Sequence, residues 1–193
     1  MITATTASGT YYLFNKKDQK TPIIFVHGVG LTHEIWQPQL DFFRERSTLV
    51  YDILGHGKSS LNKEKISFKD FSDQIIDLID ELKIDQIHLI GFSIGSLIAR
   101  NFATKFGERL KSLTLLGSIY KRSNEQQKIV NQRFEQAKSE LKLSRQALKR
   151  WFTDKYLKNN PDIYEKITSI LSSNNMTNFL KVYELFVKHK NDE

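Results

Sequence analysis

The sequence contains no cysteine, only three prolines and no long apolar run among its 193 residues. The lack of thiols excludes disulfide bonds, thiolate metal sites and a cysteine nucleophile. No apolar stretch approaches the about 20 residues that a membrane-spanning helix requires. The first residues also lack the basic start and the apolar stretch of a signal peptide. We therefore expect a cytoplasmic protein that has no membrane partner.

Charge is unevenly distributed between the two halves of the chain. Residues 1–100 contain 11 Lys or Arg against 12 Asp or Glu, whereas residues 101–193 contain 18 against 10. A basic half could indicate a contact with nucleic acid or another anionic surface. No compact cluster of arginine and lysine with interleaved aromatic residues accompanies the charge. We therefore favour a solvated, lysine-rich helical surface and expect no nucleic-acid partner.

The length suits one domain with a sizeable core, and the pattern of apolar residues predicts an α/β fold. Residues 1–118 alternate short apolar runs with amphipathic stretches, which is typical of a mostly parallel sheet flanked by helices. Strands are predicted at residues 10–15, 22–28, 47–57, 85–93 and 110–118, and helices at 33–43, 67–82 and 94–106. Residues 119–190 contain one proline and no glycine, and they predict three or four helices, at residues 124–142, 144–157, 161–173 and 176–189.

Ser93 stands at the centre of a glycine-x-serine-x-glycine pattern, "GFSIG", at residues 91–95. An apolar strand runs straight into this pattern and a helix leaves it, as expected for a nucleophile on a strained turn. Gly91 and Gly95 would clear space where a side chain would collide. The N-terminus of the following helix would favour an oxyanion. The pattern therefore predicts that Ser93 is a nucleophile.

Two further glycine-rich stretches follow predicted strands: "HGVG" at residues 27–30 and "DILGHGKS" at residues 52–59. The order strand–HG, strand–DxxGHGxS and strand–GxSxG resembles the α/β-hydrolase fold family, and most closely its small esterases and lactonases. The resemblance covers nearly the whole chain. It implies a core at residues 1–118, strands through the sixth, and a helical cap at residues 119–193.

The resemblance also implies a site and a reaction. Ser93 would attack a small carboxylic ester or lactone and form an acyl-enzyme, with no cofactor and no metal. The oxyanion hole would consist of the backbone N–H groups of Val29 and Ile94. The supporting turns would contain His27, Gly28, Gly30, Gly91 and Gly95. Within the family a serine at this position favours acyl chemistry, because relatives that open epoxides or remove halides use aspartate.

Aromatic residues of the implied cap are candidates for the substrate pocket. They are Trp151, Phe152, Tyr156 and Tyr183, with Phe179 and Phe186 beside them. Packing within the cap is the alternative role for each of these side chains.

No histidine of the sequence is marked as the general base that a serine nucleophile requires. His27 and His56 lie in glycine-rich turns and are expected to be structural. His33 would begin a surface helix, and His88 lies inside a strand. His189 follows the last helix in a lysine-flanked, exposed setting; it satisfies the family order of serine, acid and histidine, but no strand precedes it.

We therefore expect the acid and the histidine to lie beyond Glu193 and the chain to be an N-terminal fragment. The sixth strand would then form an open, apolar sheet edge that favours aggregation. Three alternatives of the same fold remain open: an acyltransferase, a C–C bond hydrolase or lyase, and a catalytically inactive binding module. The sequence leaves the substrate and the oligomeric state open.

Overall fold

A computed structural model describes residues 1–140 and 146–190. Parts of the helices predicted at residues 124–142 and 144–157, and the last three residues of the implied cap, lie outside the described residues. Within the described ranges, none of the helices is both long enough and apolar enough to span a membrane.

The sheet has six strands in the order β1-β2-β4-β3-β5-β6. The strands are β1 (Ile2–Thr5), β2 (Tyr11–Asn15), β3 (Ile23–Val26), β4 (Thr48–Tyr51), β5 (Ile87–Phe92) and β6 (Leu110–Leu116). Strands β3, β4, β5 and β6 pair in parallel, whereas β1 and β2 are antiparallel to their neighbours. The predicted α/β fold with a mostly parallel sheet through a sixth strand is confirmed. The sequence prediction missed β1, because most of this strand is exposed and lacks an apolar pattern.

Eight α-helices are present among the described residues. They are α1 (Gln37–Phe42), α2 (Phe68–Glu81), α3 (Ile94–Lys105), α4 (Asn124–Glu140), α5 (Gln146–Trp151), α6 (Asp154–Asn159), α7 (Pro161–Ser172) and α8 (Met176–Lys188), and a 3-10 turn at His33–Trp36 precedes α1. Helix α2 begins with a capping box, in which the Ser67 backbone N–H donates to Asp70 at 2.8 Å. Such a cap contributes about 1 kcal/mol to helix stability.

The central strands β3 and β4 are buried on both faces of the sheet, which explains their apolar runs. Every residue of β3 and β4 is buried. On one face the sheet packs against α2 and α3, through side chains such as Phe71 and Phe102. On the other face, Trp36 and Phe43 pack around Phe25. Because β3, β4, β5 and β6 pair in parallel, their carboxyl ends lie at the same end of the sheet, where the loops that follow them converge.

The C-terminal helical segment contains five helices among the described residues, not three or four. The prediction of one continuous helix over residues 144–157 is wrong, because α5 ends at Trp151 and a separate helix, α6, begins at Asp154. Thr153 has extended backbone, and its side-chain oxygen accepts a hydrogen bond from the Tyr156 backbone N–H at 3.2 Å. A threonine in this position caps a new helix and so ends the previous one.

Strand β6 forms an open edge of the described sheet, as the sequence predicted. Six of its seven residues are exposed, and the apolar side chains of Leu113, Leu115 and Leu116 are 37%, 37% and 41% exposed. An exposed apolar strand edge offers unpaired backbone groups to another chain.

Leu115→Lys should therefore reduce self-association of the 193-residue chain, because it places a charge on this edge. Light scattering over a protein concentration series would measure the effect. Ile2→Lys adds the same charge on β1, at the opposite edge of the sheet, and serves as the control. Equal effects of the two substitutions would show that net charge, and not the β6 edge, controls association.

Candidate active site

Ser93 lies on a strained turn between β5 and α3. Its backbone angles are φ 57° and ψ −120°, which a residue other than glycine rarely adopts. Such a conformation costs about 1–3 kcal/mol and persists only where its surroundings enforce it. Here the Ser93 N–H donates to Leu116 O at 2.9 Å, and Ser93 O accepts bonds from Ser96 N and Oγ at 2.9 and 2.6 Å. The turn is thus held from β6 and from α3.

The two glycines of the pattern are required by close backbone contacts. A Cβ added to Gly91 would lie 2.2 Å from Gly95 O. A Cβ added to Gly95 would lie 2.4 Å from Val26 O and 2.7 Å from His27 O. No side chain fits at either position. The absence of side chains lets α3 begin directly against β3, so that the turn at Ser93 adjoins the loop that follows β3.

This loop, residues 27–33, is called the β3 loop below, and it lies against the Ser93 side chain. A Cβ added to Gly28 would be 3.2 Å from Ser93 Cβ. Within residues 1–140 and 146–190, neither the Val29 N–H nor the Ile94 N–H donates a hydrogen bond. Ile94 is the first residue of α3, whose N-terminus carries partial positive charge. The structure thus brings the predicted nucleophile beside the loop of one predicted oxyanion donor and directly before the other.

Two histidine rings fasten the β3 loop to the loop after β4, residues 52–59, called the β4 loop. The Ile53 N–H donates to Nε2 of His27 at 3.0 Å. In the reverse direction, the Gly30 N–H donates to Nε2 of His56 at 2.9 Å. Each loop therefore provides a backbone donor for a ring of the other, in line with the structural roles expected for both histidines.

Both rings are neutral in this arrangement. Since Nε2 accepts in each case, the proton lies on Nδ1, which faces Gly28 O at 2.8 Å in His27 and Leu54 O at 3.3 Å in His56. Burial disfavours the charged form and lowers the pKa of His27 to about 4. Burial is the main reason that the pKa of His56 is lowered to about 3, and the neighbouring His27 is the second.

A third connection between the loops was missed from the sequence. Asp52 is buried, and its Oδ1 accepts from the backbone N–H and from Nδ1 of His33 at 2.8 and 2.7 Å. Its Oδ2 accepts from the Lys58 N–H at 2.9 Å. Burial opposes ionisation of Asp52, but the hydrogen bonds from the side chain and the backbone of His33 outweigh it, and the pKa of Asp52 lies below its usual value.

His33 does begin a helical turn, His33–Trp36, as predicted, but the expectation that it lies at the surface is wrong. The ring is buried because Asp52 provides its hydrogen-bond acceptor. A signal was present in the sequence: Asp52 directly follows the mostly apolar strand Thr48–Tyr51, and a buried carboxylate requires donors.

The predicted pocket aromatics separate into two groups. Phe152 belongs to an apolar cluster that includes Phe92, the residue before Ser93, and Leu31 of the β3 loop. Tyr156 stacks on Phe152 with ring centroids 5.4 Å apart, but Tyr156 and Trp151 are each 43% exposed. Trp151, Phe152 and Tyr156 form the first group, and of these three only Phe152 belongs to the cluster that contains Phe92 and Leu31.

Tyr183 belongs to a different group, on α8. Its ring contacts Phe134 of α4 and two aromatic residues of its own helix, Phe179 and Phe186, at centroid distances of 5.5, 5.4 and 6.2 Å. Burial raises the pKa of Tyr183. These contacts favour the alternative role that the sequence analysis left open, packing within the helical segment.

In the part of the chain that the structure describes, no hydrogen bond joins Ser93 Oγ to a candidate base. His88 Nδ1 lies 2.7 Å from Ser112 Oγ. His189 was expected to be exposed, but it is half-buried, and its ring meets the ring of Phe68 edge-on at 5.2 Å. The same described residues contain no group of three or more His, Asp and Glu side chains that could hold a metal ion.

Comparison with known proteins agrees with this arrangement. A family model described as alpha/beta hydrolase fold matches residues 21–160. The chain is 29% identical over 168 residues to (E)-2-((N-methylformamido)methylene)succinate hydrolase of Acinetobacter baylyi, covering 86% of this chain and 63% of the relative. It is 26% identical over 172 residues to 3-oxoadipate enol-lactonase 2 of the same organism, covering 89% of this chain and 64% of that protein. The chain thus spans less than two thirds of the length of these relatives.

Solved structures show the same fold. The crystal structure of the enol-lactonase from Burkholderia xenovorans superimposes with a TM-score of 0.83 at 21% identity, covering 97% of this chain and 74% of that one. A thermophilic esterase from Thermogutta terrifontis superimposes with a TM-score of 0.77 at 21% identity, covering 98% of this chain and 73% of the other.

The neutral histidine pair predicts that the protein loses stability in mild acid. In the unfolded chain both rings titrate near pH 6.5, so between pH 6.5 and about 4 the unfolded state binds more protons than the folded state. The free energy of unfolding should therefore fall as the pH falls, by up to about 1.4 kcal/mol per pH unit for each histidine. Urea unfolding across this pH range measures the slope.

His56→Gln is the comparison variant, since a glutamine oxygen can accept from the Gly30 N–H but does not titrate. It should show a shallower pH slope than the unmodified chain, whatever its absolute stability. Identical slopes for the two proteins would contradict the neutral, buried state of His56.

Proposed function

Since the chain belongs to the alpha/beta hydrolase fold family, we propose that it forms the nucleophile-bearing part of a serine hydrolase that acts on small carboxylic esters or lactones. The two relatives described above are named as hydrolases, one of them an enol-lactonase. One observation carries the proposal: the strained Ser93 lies beside the β3 loop and at the start of α3, and the N–H groups of Val29 and Ile94 are without acceptors among the described residues.

In the proposed reaction Ser93 Oγ attacks the acyl carbon, and the carbonyl oxygen becomes an oxyanion. The N–H groups of Val29 and Ile94 bind this oxyanion. Removing one such donor typically costs about 3–4 kcal/mol of transition-state stabilisation. The tetrahedral intermediate then expels the alcohol or opens the lactone ring, and water hydrolyses the acyl-enzyme and regenerates Ser93.

The C-terminal helical segment acts as the cap of this site in the proposal. Its helices contribute Leu148 and Phe152 to the cluster with Leu31 and Phe92. Because Phe92 directly precedes Ser93 and Leu31 belongs to the β3 loop, this cluster is suited to the apolar part of an acyl group. We assign Phe152 to the acyl pocket and Tyr183 to cap packing. We assign Trp151 and Tyr156, which are each 43% exposed, to the rim of the pocket.

The proposal places the general base and the acid in a part of the protein outside these 193 residues. Within the described chain Ser93 Oγ has no such partner, and this observation favours a second candidate function, a catalytically inactive binding module. Without its partners a triad serine loses roughly 10⁴–10⁶ in rate, although oxyanion binding leaves some activity above the uncatalysed reaction. The 193-residue chain should therefore react slowly if it is part of a serine hydrolase, and not at all if it is an inactive binding module.

A fluorophosphonate probe distinguishes the two candidates. We expect slow covalent labelling of the 193-residue chain at Ser93, detected by intact mass and by peptide mapping. Ser93→Ala should abolish the label. Ser118→Ala, which removes an exposed serine just after β6, should leave it unchanged.

An unlabelled chain after prolonged exposure to excess probe at mildly alkaline pH would favour the inactive binding module. Label at serines other than Ser93 would also contradict the assignment of the nucleophile. If Ser93 is labelled, a panel of esters, lactones, acyl acceptors and diketones separates a hydrolase from an acyltransferase or a C–C bond hydrolase.

A further inference from the structure

Gly30 of the β3 loop is held through both of its backbone polar groups. Its N–H donates to His56 Nε2 at 2.9 Å, and its carbonyl accepts from Asn174 Nδ2 at 2.9 Å. The first partner belongs to the core and the second to the turn between α7 and α8 of the proposed cap. Gly30 also has a positive φ of 78°, so its conformation depends on these contacts and on the lack of a side chain.

These contacts determine the direction of the neighbouring Val29 N–H. Peptide units are planar, so fixing one polar group of a unit fixes the other. The unit between Gly28 and Val29 is held at Gly28 O, which accepts from His27 Nδ1 at 2.8 Å and from the Leu31 N–H at 3.2 Å. The next unit is held at the Gly30 N–H. Asn174 holds the unit after that, which also carries the Leu31 N–H.

The Asn174 amide has one orientation that its surroundings permit. Its Nδ2 faces three carbonyl oxygens, those of Gly30, Ile170 and Leu171, at 2.9, 3.0 and 3.2 Å. A rotated amide would direct its own oxygen at these three acceptors. Two of the carbonyls belong to the last turns of α7, so the side chain ties the end of this cap helix to a loop 144 residues earlier.

The following residues of the cap lie on the β4 loop. A Cβ added to Gly55 would be 3.1 Å from Asn178 Cβ, and the ring of Phe179 meets His56 edge-on at 6.4 Å. His56 is the residue that holds the Gly30 N–H. The turn between α7 and α8 therefore supports Gly30 directly through Asn174, and the first turn of α8 supports it indirectly through His56.

We propose that Asn174 is a positioning residue through which the cap sets the oxyanion hole: its amide holds the Gly30 carbonyl and so directs the Val29 N–H toward the site of the oxyanion. The role of the Val29 N–H rests on the function proposed above. The cap would then be more than a cover for the substrate, because displacing the α7–α8 turn would also release the β3 loop.

Asn174→Asp tests this role with almost no change in shape. The carboxylate would face three carbonyl oxygens, so the Gly30 contact should be lost. Asn160→Asp is the matched control, because Asn160 Nδ2 donates within the cap, to Tyr156 O at 2.9 Å. Asn174→Ala removes the donor without adding charge and serves as the second variant if the aspartate variant does not fold. All variants are compared well below their unfolding temperatures.

Two readouts separate the positioning role from the proposed chemistry. The first is the amide NMR spectrum and hydrogen exchange of Val29, Gly30 and Leu31, which requires no reaction at Ser93. In Asn174→Asp and Asn174→Ala we expect shifted resonances at all three residues and faster exchange at Gly30 and Leu31, whose N–H groups are hydrogen-bonded. Neither change is expected in Asn160→Asp. The second is the rate of fluorophosphonate labelling of Ser93, which should fall about tenfold or more, since small misplacements of reacting groups cost up to about 10²-fold.

Unchanged amide signals of the β3 loop in both Asn174 variants would overturn the proposal, whatever the labelling shows. Changed amide signals with an unchanged labelling rate would also overturn it, because the loop would then not control the site. If the unmodified chain is not labelled at all, the proposed function fails. The amide measurement alone then decides whether Asn174 holds the β3 loop.

Discussion

The β3 and β4 loops follow the carboxyl ends of their strands, and they contain backbone groups that no neighbouring strand can pair. Buried side chains form hydrogen bonds with several of these groups. Asp52 accepts three hydrogen bonds from the two loops, and the rings of His27 and His56 each accept a backbone N–H of the opposite loop. Buried backbone donors require partners, and a neutral imidazole can provide an acceptor without the cost of a buried charge. The positions of all the proposed oxyanion-loop atoms depend on this set of bonds.

The strained turn at Ser93 depends on the same region through contact distance. Gly95 packs with its Cα directly against Val26 O and His27 O, at the point where β3 passes into its loop. Any side chain there would push α3 away from β3 and separate Ser93 from the loop. Gly91 and Gly95 thus allow a short distance between Ser93 and the β3 loop, and the hydrogen bonds of His27 and His56 hold that loop in place.

Much of the core could be predicted because local signals agree with tertiary structure there. The continuous apolar runs of β3 and β4 reflect burial on both faces, and the capping box at Ser67 marks the start of α2 correctly. The failures have local causes as well. Strand β1 carries no apolar pattern, and Thr153 divides a stretch whose periodicity resembles a single helix.

The candidate site shows a similar division. The spacing of glycines around Ser93 marked this residue as the candidate nucleophile, and the HG stretch marked the loop that lies beside it. The buried state of His33 was missed, because it depends on Asp52, 19 residues away. The grouping of the aromatic residues in the C-terminal helical segment was missed too, since helical periodicity does not say which face of a helix meets which partner.

The sequence by itself determined the α/β order, the turn at Ser93 and the need for glycine at positions 91 and 95. Each of these follows from local periodicity or from steric limits of a short stretch. Only the tertiary structure decided that His27, His56 and Asp52 join two loops, and that Asn174 reaches Gly30. It also decided that Phe152 shares a cluster with Phe92 and Leu31, whereas Tyr183 packs with Phe134, Phe179 and Phe186. The physical reason is that these contacts join residues far apart in the chain, and a hydrogen bond or a packed ring needs distances that only the folded chain establishes.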